Sequence, residues 1–267
     1  MKSPNSIVAL LTDFGADSYY VAQMKGILIG LNPGLQIFDV THSISPQNIR
    51  QAAYVLNDCV SSFPVGTIFV VVVDPGVGTD RGIVCVEHQG RVFVCPDNGL
   101  LSVILSHELK PRIVKVRSSL IESSRSNTFH GRDVMAPIAA KISMATISEP
   151  ETLGQFGSDT DLIDCFDVPR ASVLENEIHG EFVYSDSFGN LITNVHETLL
   201  CDVNWPLCKI CYGDSILEGI DTSYAAKELD QLVALIGSNG CLEIAVNGGD
   251  AVKRLGDLVG QSIRIGF

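Results

Sequence analysis

The sequence lacks any long apolar run, and it is poor in positive charge. No stretch approaches the roughly 18 consecutive apolar residues that a membrane helix needs. The first apolar run, residues 7–11, is too short for the core of a signal peptide. Lysine and arginine total 18 against 31 aspartates and glutamates, so the formal net charge is -13 and a polyanion would be repelled. We expect a soluble chain without a targeting segment and without a nucleic-acid or membrane partner.

The eight cysteines do not indicate a disulfide framework. A chain of 267 residues, 46% of them hydrophobic, can bury a substantial core without cross-links, and Cys85 and Cys95 lie in apolar segments. We therefore expect buried, reduced thiols and a cytoplasmic location. The spacing of Cys208 and Cys211, with Cys201 upstream, suits a metal or redox site, but a structural zinc site needs four ligands and no histidine lies close by. We interpret these three residues as small hydrophobic residues.

The first part of the chain alternates short apolar runs with helical periodicity. Strands are predicted at residues 7–11, 36–40, 67–73, 83–87 and 91–95, and helices at 20–31, 49–63 and 134–144. A strand, helix, strand order is typical of parallel pairing. We therefore expect an α/β domain with a mostly parallel sheet flanked by helices.

A change of character marks the second part of the chain. Residues 148–170 contain glycines and a series of aspartates without sustained periodicity, which predicts a domain boundary. Beyond it, short strands separated by Gly, Asn and Asp are predicted at residues 177–185, 191–195, 209–212, 231–236, 241–246 and 262–265. The prediction is an α/β domain over residues 1–165 and a smaller, all-β, barrel-like domain over 166–267.

Polar loops follow predicted strands or open a helix in the first domain. They carry Asp13, then Asp74 with Arg81, then His130. Ligands of open α/β sheets bind at the carboxyl ends of the strands, so these side chains could converge on one cleft. An ordinary Asp-Pro-Gly turn with a solvated aspartate explains Asp74 equally well, and a lone histidine is more often structural than catalytic. From the residues alone, both interpretations stay open.

The polar motifs recur in a fixed order along the chain. They are TDFG at 12–15, DVTH at 39–42, VDPGVGTDR at 73–81, PDNG at 96–99, FHGRD at 129–133, DSFGNLITN at 186–194 and GSNGCLEIAVN at 237–247. Together they resemble the S-adenosyl-L-methionine hydroxide adenosyltransferase family, whose relatives include fluorinating and chlorinating enzymes that act on the same substrate. The similarity runs from about Leu10 to Ile265.

The resemblance implies an activity and an assembly. The activity is hydrolysis of S-adenosyl-L-methionine to adenosine and L-methionine, with water, formally hydroxide, as the nucleophile at ribose C5′. The assembly is a homotrimer whose active sites lie between neighbouring subunits, each subunit having an N-terminal α/β and a C-terminal β-barrel-like domain. No cofactor or metal is expected, because the sulfonium leaving group departs without acid catalysis.

The residues that match the family's water-holding Asp, Arg and His are Asp74, Arg81 and His130. Water is a poor nucleophile, so a proton acceptor is useful. Asp74 is the acceptor by motif, yet a neighbouring Arg81 would make it a weaker base, while an ordinary histidine titrates at about pH 6.5. Which of Asp74 and His130 takes the proton stays open, and Arg81 would position Asp74 or hold hydroxide by electrostatics.

The resemblance also implies where the substrate binds. Asp13 would accept hydrogen bonds from the ribose hydroxyls, with a helix N-cap as the alternative. Asp186 would contact the methionine ammonium and Ser238 its carboxylate, although Asn239 stands where the halogenating enzymes carry arginine. The adenine contacts would be two stacking aromatic rings, one amide and a main-chain segment: Phe188, Tyr224, Asn190, Asn247 and Gly248.

Other activities fit the residues less well. Asp74 and Val77 stand where the halogenating relatives carry Tyr and Thr, and a carboxylate would repel a halide. A methyltransferase would need a glycine-rich loop after the first strand, and a metal-dependent hydrolase would need histidines at ligand spacing, such as HExxH; the sequence contains neither. The alternative that remains is a non-catalytic regulatory protein that binds adenosine or S-adenosyl-L-methionine.

Overall fold

The structure is a computed structural model that describes residues 6–106, 111–146 and 149–267. The chain divides into two compact units, Met1–Asp167 and Val168–Phe267. The predicted boundary, between residues 165 and 166, lies just before this division. The role assigned to each domain stays a prediction.

The first unit is built on a mixed seven-stranded sheet. Its strands are β1 (Ile7–Thr12), β2 (Gln36–Thr41), β3 (Ile68–Val72), β4 (Ile83–His88), β5 (Arg91–Pro96), β6 (Arg112–Val116) and β7 (Gly157–Thr160). They are ordered β2-β1-β3-β5-β4-β6-β7. The pairs β1–β2, β1–β3 and β3–β5 are parallel, whereas β4–β5, β4–β6 and β6–β7 are antiparallel. The predicted α/β class with flanking helices is confirmed, but the sheet is mixed and not mostly parallel, because β4 and β5 are joined by a two-residue turn and β4, β6 and β7 pair antiparallel. The strand, helix, strand order accounts for the parallel placement of β1, β2 and β3.

Helices cover the two faces of this sheet. They are α1 (Tyr19–Leu31), α2 (Ile49–Val60), α3 (Ser102–Leu105), α4 (Ser118–Glu122), a π-helical turn (Gly131–Met135), α5 (Ala136–Ile142) and α6 (Pro150–Gly154). Side chains alternate along β1: Val8 and Leu10 pack in one apolar cluster with residues of α1 and α5, and Ala9 and Leu11 in another with residues of α2 and α3. Burial on both faces explains why β3 reads as an unbroken apolar run.

The second unit is an antiparallel, nearly closed, barrel-like sheet, which confirms the predicted all-β domain. Its strands are β8 (Ser172–Leu174), β9 (Glu177–Ser185), β10 (Leu191–His196), β11 (Lys209–Tyr212), β12 (Ser215–Glu218), β13 (Leu232–Ile236), β14 (Cys241–Val246) and β15 (Ser262–Gly266). It also has one short α-helix, α7 (Ala251–Leu255), and three 3₁₀ turns at Glu197–Leu200, Trp205–Leu207 and Tyr224–Ala226. The order is β12-β11-β15-β9-β10-β14-β13, and β8 pairs with β9. Leu242 and Ile244 of β14 point into the core with Phe182, so Glu243 between them faces the other way.

All eight cysteines are free thiols. Cys85, Cys95 and Cys208 are buried, and burial raises the pKa of Cys85 to about 12. The prediction of burial is wrong for Cys165 and Cys201, which are exposed. Among the described residues, no helix is long and apolar enough to cross a bilayer.

Candidate active site

Asp74, Arg81 and His130 form one hydrogen-bonded cluster in the first unit. Arg81 Nε donates to both carboxylate oxygens of Asp74, at 2.9 and 3.1 Å. Arg81 Nη2 also donates to Asp74 Oδ2, and it lies 2.8 Å from His130 Nδ1. The Asp74 and Arg81 side chains are 6% and 8% exposed, and His130 is 3% exposed. The structure thus brings these three residues together in a buried site, while their catalytic roles stay predictions.

The loop after β3 brings Arg81 back against Asp74. Asp74 follows Val73, a buried residue directly after β3. The Asp74 carbonyl accepts a hydrogen bond from Val77 N, and the Gly76 carbonyl accepts from both Thr79 N and Thr79 Oγ1. These turn bonds fold the chain back on itself, so two residues seven apart in sequence form a bidentate pair.

His130 reaches the cluster through a close approach of its turn to β3. The π-helical turn begins directly after it, at Gly131, and such turns are frequent at functional sites. A Cβ at position 131 would lie 3.1 Å from Cγ1 of Val72, which is tighter than ordinary packing allows. Glycine at position 131 therefore lets the His130 backbone sit against the end of β3.

The hydrogen bonds fix which nitrogen of His130 carries the proton. Arginine only donates, so Nδ1 of His130 accepts from Arg81 and the hydrogen of the neutral ring is on Nε2. Burial, and then the charge of Arg81, lower the pKa of His130 below 6.5, although Asp74 and Asp133 oppose this shift. Arg81 Nη1 is buried without a partner among the described residues. The hydrogen on His130 Nε2 and those on Arg81 Nη1 thus take no part in the hydrogen bonds within the cluster.

Asp13 lies at the same edge of the sheet as Asp74. It follows β1, and β1 pairs in parallel with β3, so the carboxyl ends of both strands meet there. Asp13 Oδ2 accepts a hydrogen bond of 2.7 Å from the backbone N–H of Gln47. The N-cap of α1 is Ser18, so the alternative interpretation of Asp13 as a helix cap is wrong.

A turn in the second unit collects three of the predicted substrate-binding residues. Asp186 Oδ1 accepts from the backbone N–H groups of Phe188 and Asn190, and Oδ2 accepts from Asn190 Nδ2, each at 2.9 Å. Asn190 is buried, whereas Phe188 is 75% exposed. Asp186 therefore orders a turn that presents an aromatic ring and holds an amide.

Phe188 and Gly248 line an open groove of about 710 Å³ in the second unit. The groove also carries two basic side chains, Lys253 and Arg254. Asn247 is not among its lining residues: its main-chain N–H and C=O bond to Gln231 and Asp230, and its side chain bonds to the Lys227 carbonyl. Of the predicted main-chain pair, Gly248 is therefore the residue that faces the groove.

Tyr224 and Ser238 lie elsewhere on the same unit. The Tyr224 hydroxyl donates to Glu243 Oε1 at 2.5 Å, and Tyr224 is not among the residues that line the groove. Ser238 is exposed in the loop between β13 and β14. The structure therefore does not show the predicted pairing of Tyr224 with Phe188 around one ligand ring.

The sequence alone assigns no role to two polar residues, Asn98 and His42, that lie at the ends of strands in the first unit. Asn98 donates from Nδ2 to the Val73 carbonyl at 3.0 Å, and its Oδ1 is buried without a partner in the described part of the chain. His42 lies 2.9 Å from Thr12 Oγ1 and 3.0 Å from Asp39 Oδ1, which links the ends of β1 and β2. Both residues belong to the motifs PDNG and DVTH, which identify them as members of a recurring pattern but do not indicate what they contact.

No three His, Cys, Asp or Glu side chains group closely enough to hold a metal ion within the ranges that the structure describes. That the reaction needs no cofactor stays a prediction based on its chemistry.

Comparisons with known proteins match both units. Models of the SAM hydroxide adenosyltransferase N-terminal and C-terminal domains match residues 8–154 and 180–264. A Thermus thermophilus protein named (R)-S-adenosyl-L-methionine hydrolase is 33% identical over 97% of this chain and 98% of its own length. A fluorinase from Actinopolyspora mzabensis is 24% identical over 97% of this chain and 96% of its own.

A solved structure agrees with this result. The crystal structure of an uncharacterized conserved protein from Thermotoga maritima superposes with a TM-score of 0.86, at 32% identity, and covers 97% of this chain and 100% of that one. With both domain models matched, the chain belongs to the S-adenosyl-L-methionine hydroxide adenosyltransferase family.

Proposed function

We propose that this chain hydrolyses S-adenosyl-L-methionine to adenosine and L-methionine. The observation that carries the proposal is the buried Asp74, Arg81 and His130 cluster, in which Arg81 Nη1 is left without a partner among the described residues. A water oxygen attacks ribose C5′ in line with the C5′–S bond. The sulfur keeps the electron pair of the broken bond and becomes the neutral thioether of methionine.

Each member of the cluster has a distinct role in this proposal. Arg81 Nη1–H donates to the water oxygen and stabilises the charge that develops on it, while His130 holds the guanidinium in place through Nδ1. His130 Nδ1 already accepts from Arg81, so Asp74 is the member that takes the water proton. Arg81 also orients the Asp74 carboxylate through two nitrogens, which keeps the acceptor fixed relative to the attacking oxygen.

The substrate is bound by residues of both units in this proposal. Asp13 accepts from the ribose hydroxyls with the oxygen that Gln47 does not occupy. Phe188 stacks on adenine, and Asn190 and the main chain at Gly248 contact its polar edge. Ser238 donates to the methionine carboxylate. Asp186 orders the Phe188 turn, Asn247 supports the groove wall, and Tyr224 holds Glu243.

The same cluster disfavours a halide as the nucleophile. A carboxylate at position 74 would lie beside the anion, and two like charges about 4 Å apart repel by about 4 kcal/mol at the effective dielectric of a protein surface. A halide would also have to take the place of water at the Arg81 donor, although it has no proton to give to Asp74. Water is therefore the proposed nucleophile.

The assembly and location belong to the proposal as well. We infer a cytoplasmic homotrimer in which the cluster of one subunit meets the adenine-binding unit of its neighbour. The reaction as written needs no cofactor, because the sulfonium is already a good leaving group and the reaction requires no oxidant or reductant.

The test is to incubate the purified protein with each sulfonium epimer of S-adenosyl-L-methionine in chloride-free buffer and to follow both products by chromatography. Adenosine and methionine should form in equal amounts, and Asp74→Asn should abolish their formation. Asp159→Asn, which removes an exposed carboxylate paired with Arg112, is the matched control and should leave the rate unchanged. Tight binding without products would instead support the non-catalytic regulatory protein.

A further inference from the structure

Glu243 is a buried acid on a strand face that does not belong to the barrel core. It is 5% exposed, and it lies on β14 between Leu242 and Ile244, whose side chains point into the core. Its neighbours across the sheet are Ile192 and Leu235. An ionised carboxylate in such surroundings is costly to bury unless a donor or a cation compensates it.

The compensation within the described residues is incomplete. Oε1 accepts from the Tyr224 hydroxyl, and no described residue donates to Oε2. Burial chiefly, and then the charge of Asp186, raise the pKa of Glu243, while the Tyr224 hydrogen bond opposes them. No lysine or arginine is among the groups that act on it. Among the described residues, Glu243 and Asp186 therefore act on each other without a lysine or arginine to balance their charge.

Asp186 has little capacity left for a ligand. Three of its roughly four acceptor positions are taken by Phe188 N, Asn190 N and Asn190 Nδ2. Any movement of Asp186 towards a ligand would break the turn that presents Phe188. Of these two carboxylates, Glu243 is the one with an oxygen, Oε2, that accepts no hydrogen bond from a described residue.

Glu243 Oε2 lies beside the loop that carries Ser238. A Cβ at Gly237 would overlap Oε2, so the carboxylate sits directly against the residue before Ser238. The ammonium and carboxylate of an amino acid are bonded to one carbon, so the groups that recognise them must be neighbours. Glu243 and Ser238 meet this requirement.

We propose that Glu243 is the residue that recognises the α-ammonium group of the methionine part of the substrate. This inference rests on the proposed function, since it assigns a specificity role at that same site. The ammonium would donate to Oε2 while Tyr224 holds Oε1. It would supply the cation that this pair of carboxylates lacks in the protein alone.

The first test compares Glu243→Gln with the unmodified protein on two substrates. One is S-adenosyl-L-methionine, and the other is its analogue with hydrogen in place of the α-amino group. For the natural substrate, the KM of the variant should rise about 10- to 100-fold, as expected for a lost charged hydrogen bond, with kcat nearly unchanged. For the analogue, KM should stay the same. An equal rise of KM for both substrates, or an effect on kcat alone, would overturn the inference.

Two further variants separate charge from folding. Gly237→Ala keeps the carboxylate but displaces it, so its KM should rise selectively for the natural substrate. This variant still decides the matter if Glu243→Gln does not fold. Glu228→Gln removes an exposed acid of the same unit and should change neither KM. If the unmodified protein shows no turnover, the proposed function fails. Calorimetric binding of the two ligands still tests Glu243 in that case. The inference then requires that Glu243→Gln weaken binding of the natural ligand and leave binding of the analogue unchanged.

Discussion

Replacing Arg81 with lysine tests whether the cluster needs a guanidinium or only a positive charge. Arg81 binds Asp74 through Nε and Nη2, contacts His130 through Nη2, and keeps Nη1 free of protein partners among the described residues. A lysine ammonium is a point charge without the planar fork, so it cannot hold both neighbours and also present a donor in the same plane. Arg81→Lys therefore preserves the charge and removes the geometry.

The expected loss follows from the bonds that the ammonium cannot reproduce. At least the His130 contact and one Asp74 contact disappear, and each hydrogen bond to a charged group contributes about 1.5 to 3 kcal/mol. Because the pair is buried, these two losses should lower the free energy of unfolding by about 3 to 6 kcal/mol. Loss of the Nη1 donor should lower kcat by about 100- to 1,000-fold, as for other preorganised donors to a developing oxyanion. KM should change little, because Arg81 is assigned to the water and not to the substrate.

Product chromatography gives kcat and KM, and urea unfolding gives the stability. Arg112→Lys is the matched control: Arg112 pairs with an exposed Asp159 at 2.8 Å in the same unit, and such pairs contribute about 0 to 1 kcal/mol. Its kcat and stability should both be nearly unchanged. An Arg81→Lys variant with kcat close to that of the unmodified enzyme would refute the assignment of Nη1 to the nucleophile.

Three more predictions follow from the site. The pKa of His130 is lowered from 6.5, so the folded protein binds fewer protons than the unfolded chain just below that pH. The free energy of unfolding should therefore fall as the pH drops from about 6.5 towards the pKa of the folded state. In urea unfolding, His130→Asn should reduce this dependence on pH. Gly131→Ala should destabilise the protein by about 1 to 3 kcal/mol through overlap with Val72, and Val72→Ala in the same chain should restore part of the loss. Phe188→Ala should raise KM by about 5- to 150-fold, since base stacking contributes about 1 to 3 kcal/mol, yet leave thermal unfolding unchanged because Phe188 is exposed.

Much of the fold follows from local pattern. The residues of α1 repeat at helical spacing, and β1 and β3 are apolar because both faces of the sheet are covered, so periodicity identifies them. The sequence pattern does not predict the strand β7, because Gly-Ser-Asp-Thr has low strand propensity. This strand lies at the edge of the sheet, where it pairs with β6 alone. Residues 157–160, which form β7, instead fall within the region 148–170 that the composition predicts as a domain boundary.

The candidate site could be found in the sequence only through the order of its motifs. Asp74 and Arg81 are close in sequence, but His130 joins them through the close contact of Gly131 with Val72, which no local pattern reveals. The hydrogen-bond partners of Asp186 likewise depend on the turn geometry, so the resemblance alone could not show that its carboxylate is occupied. Glu243 reads as the polar position of an alternating strand, and only its burial and its bond to Tyr224 distinguish it from a solvated residue.

The charge arrangement of the cluster suits a cationic substrate. The positive charge of Arg81 is balanced by Asp74, and His130 is neutral with Nδ1 as an acceptor, so the cluster carries no net charge to repel a sulfonium. In the proposed reaction the water proton moves to Asp74, so the negative charge would move from the carboxylate to the attacking oxygen, and the net charge of the cluster with its water would stay the same. Arg81 contacts Asp74 through one side of its guanidinium and has Nη1 for the oxygen, so it can stabilise either location of that charge. As the oxygen attacks C5′, its negative charge would move towards that carbon while the positive charge of the departing sulfur is neutralised.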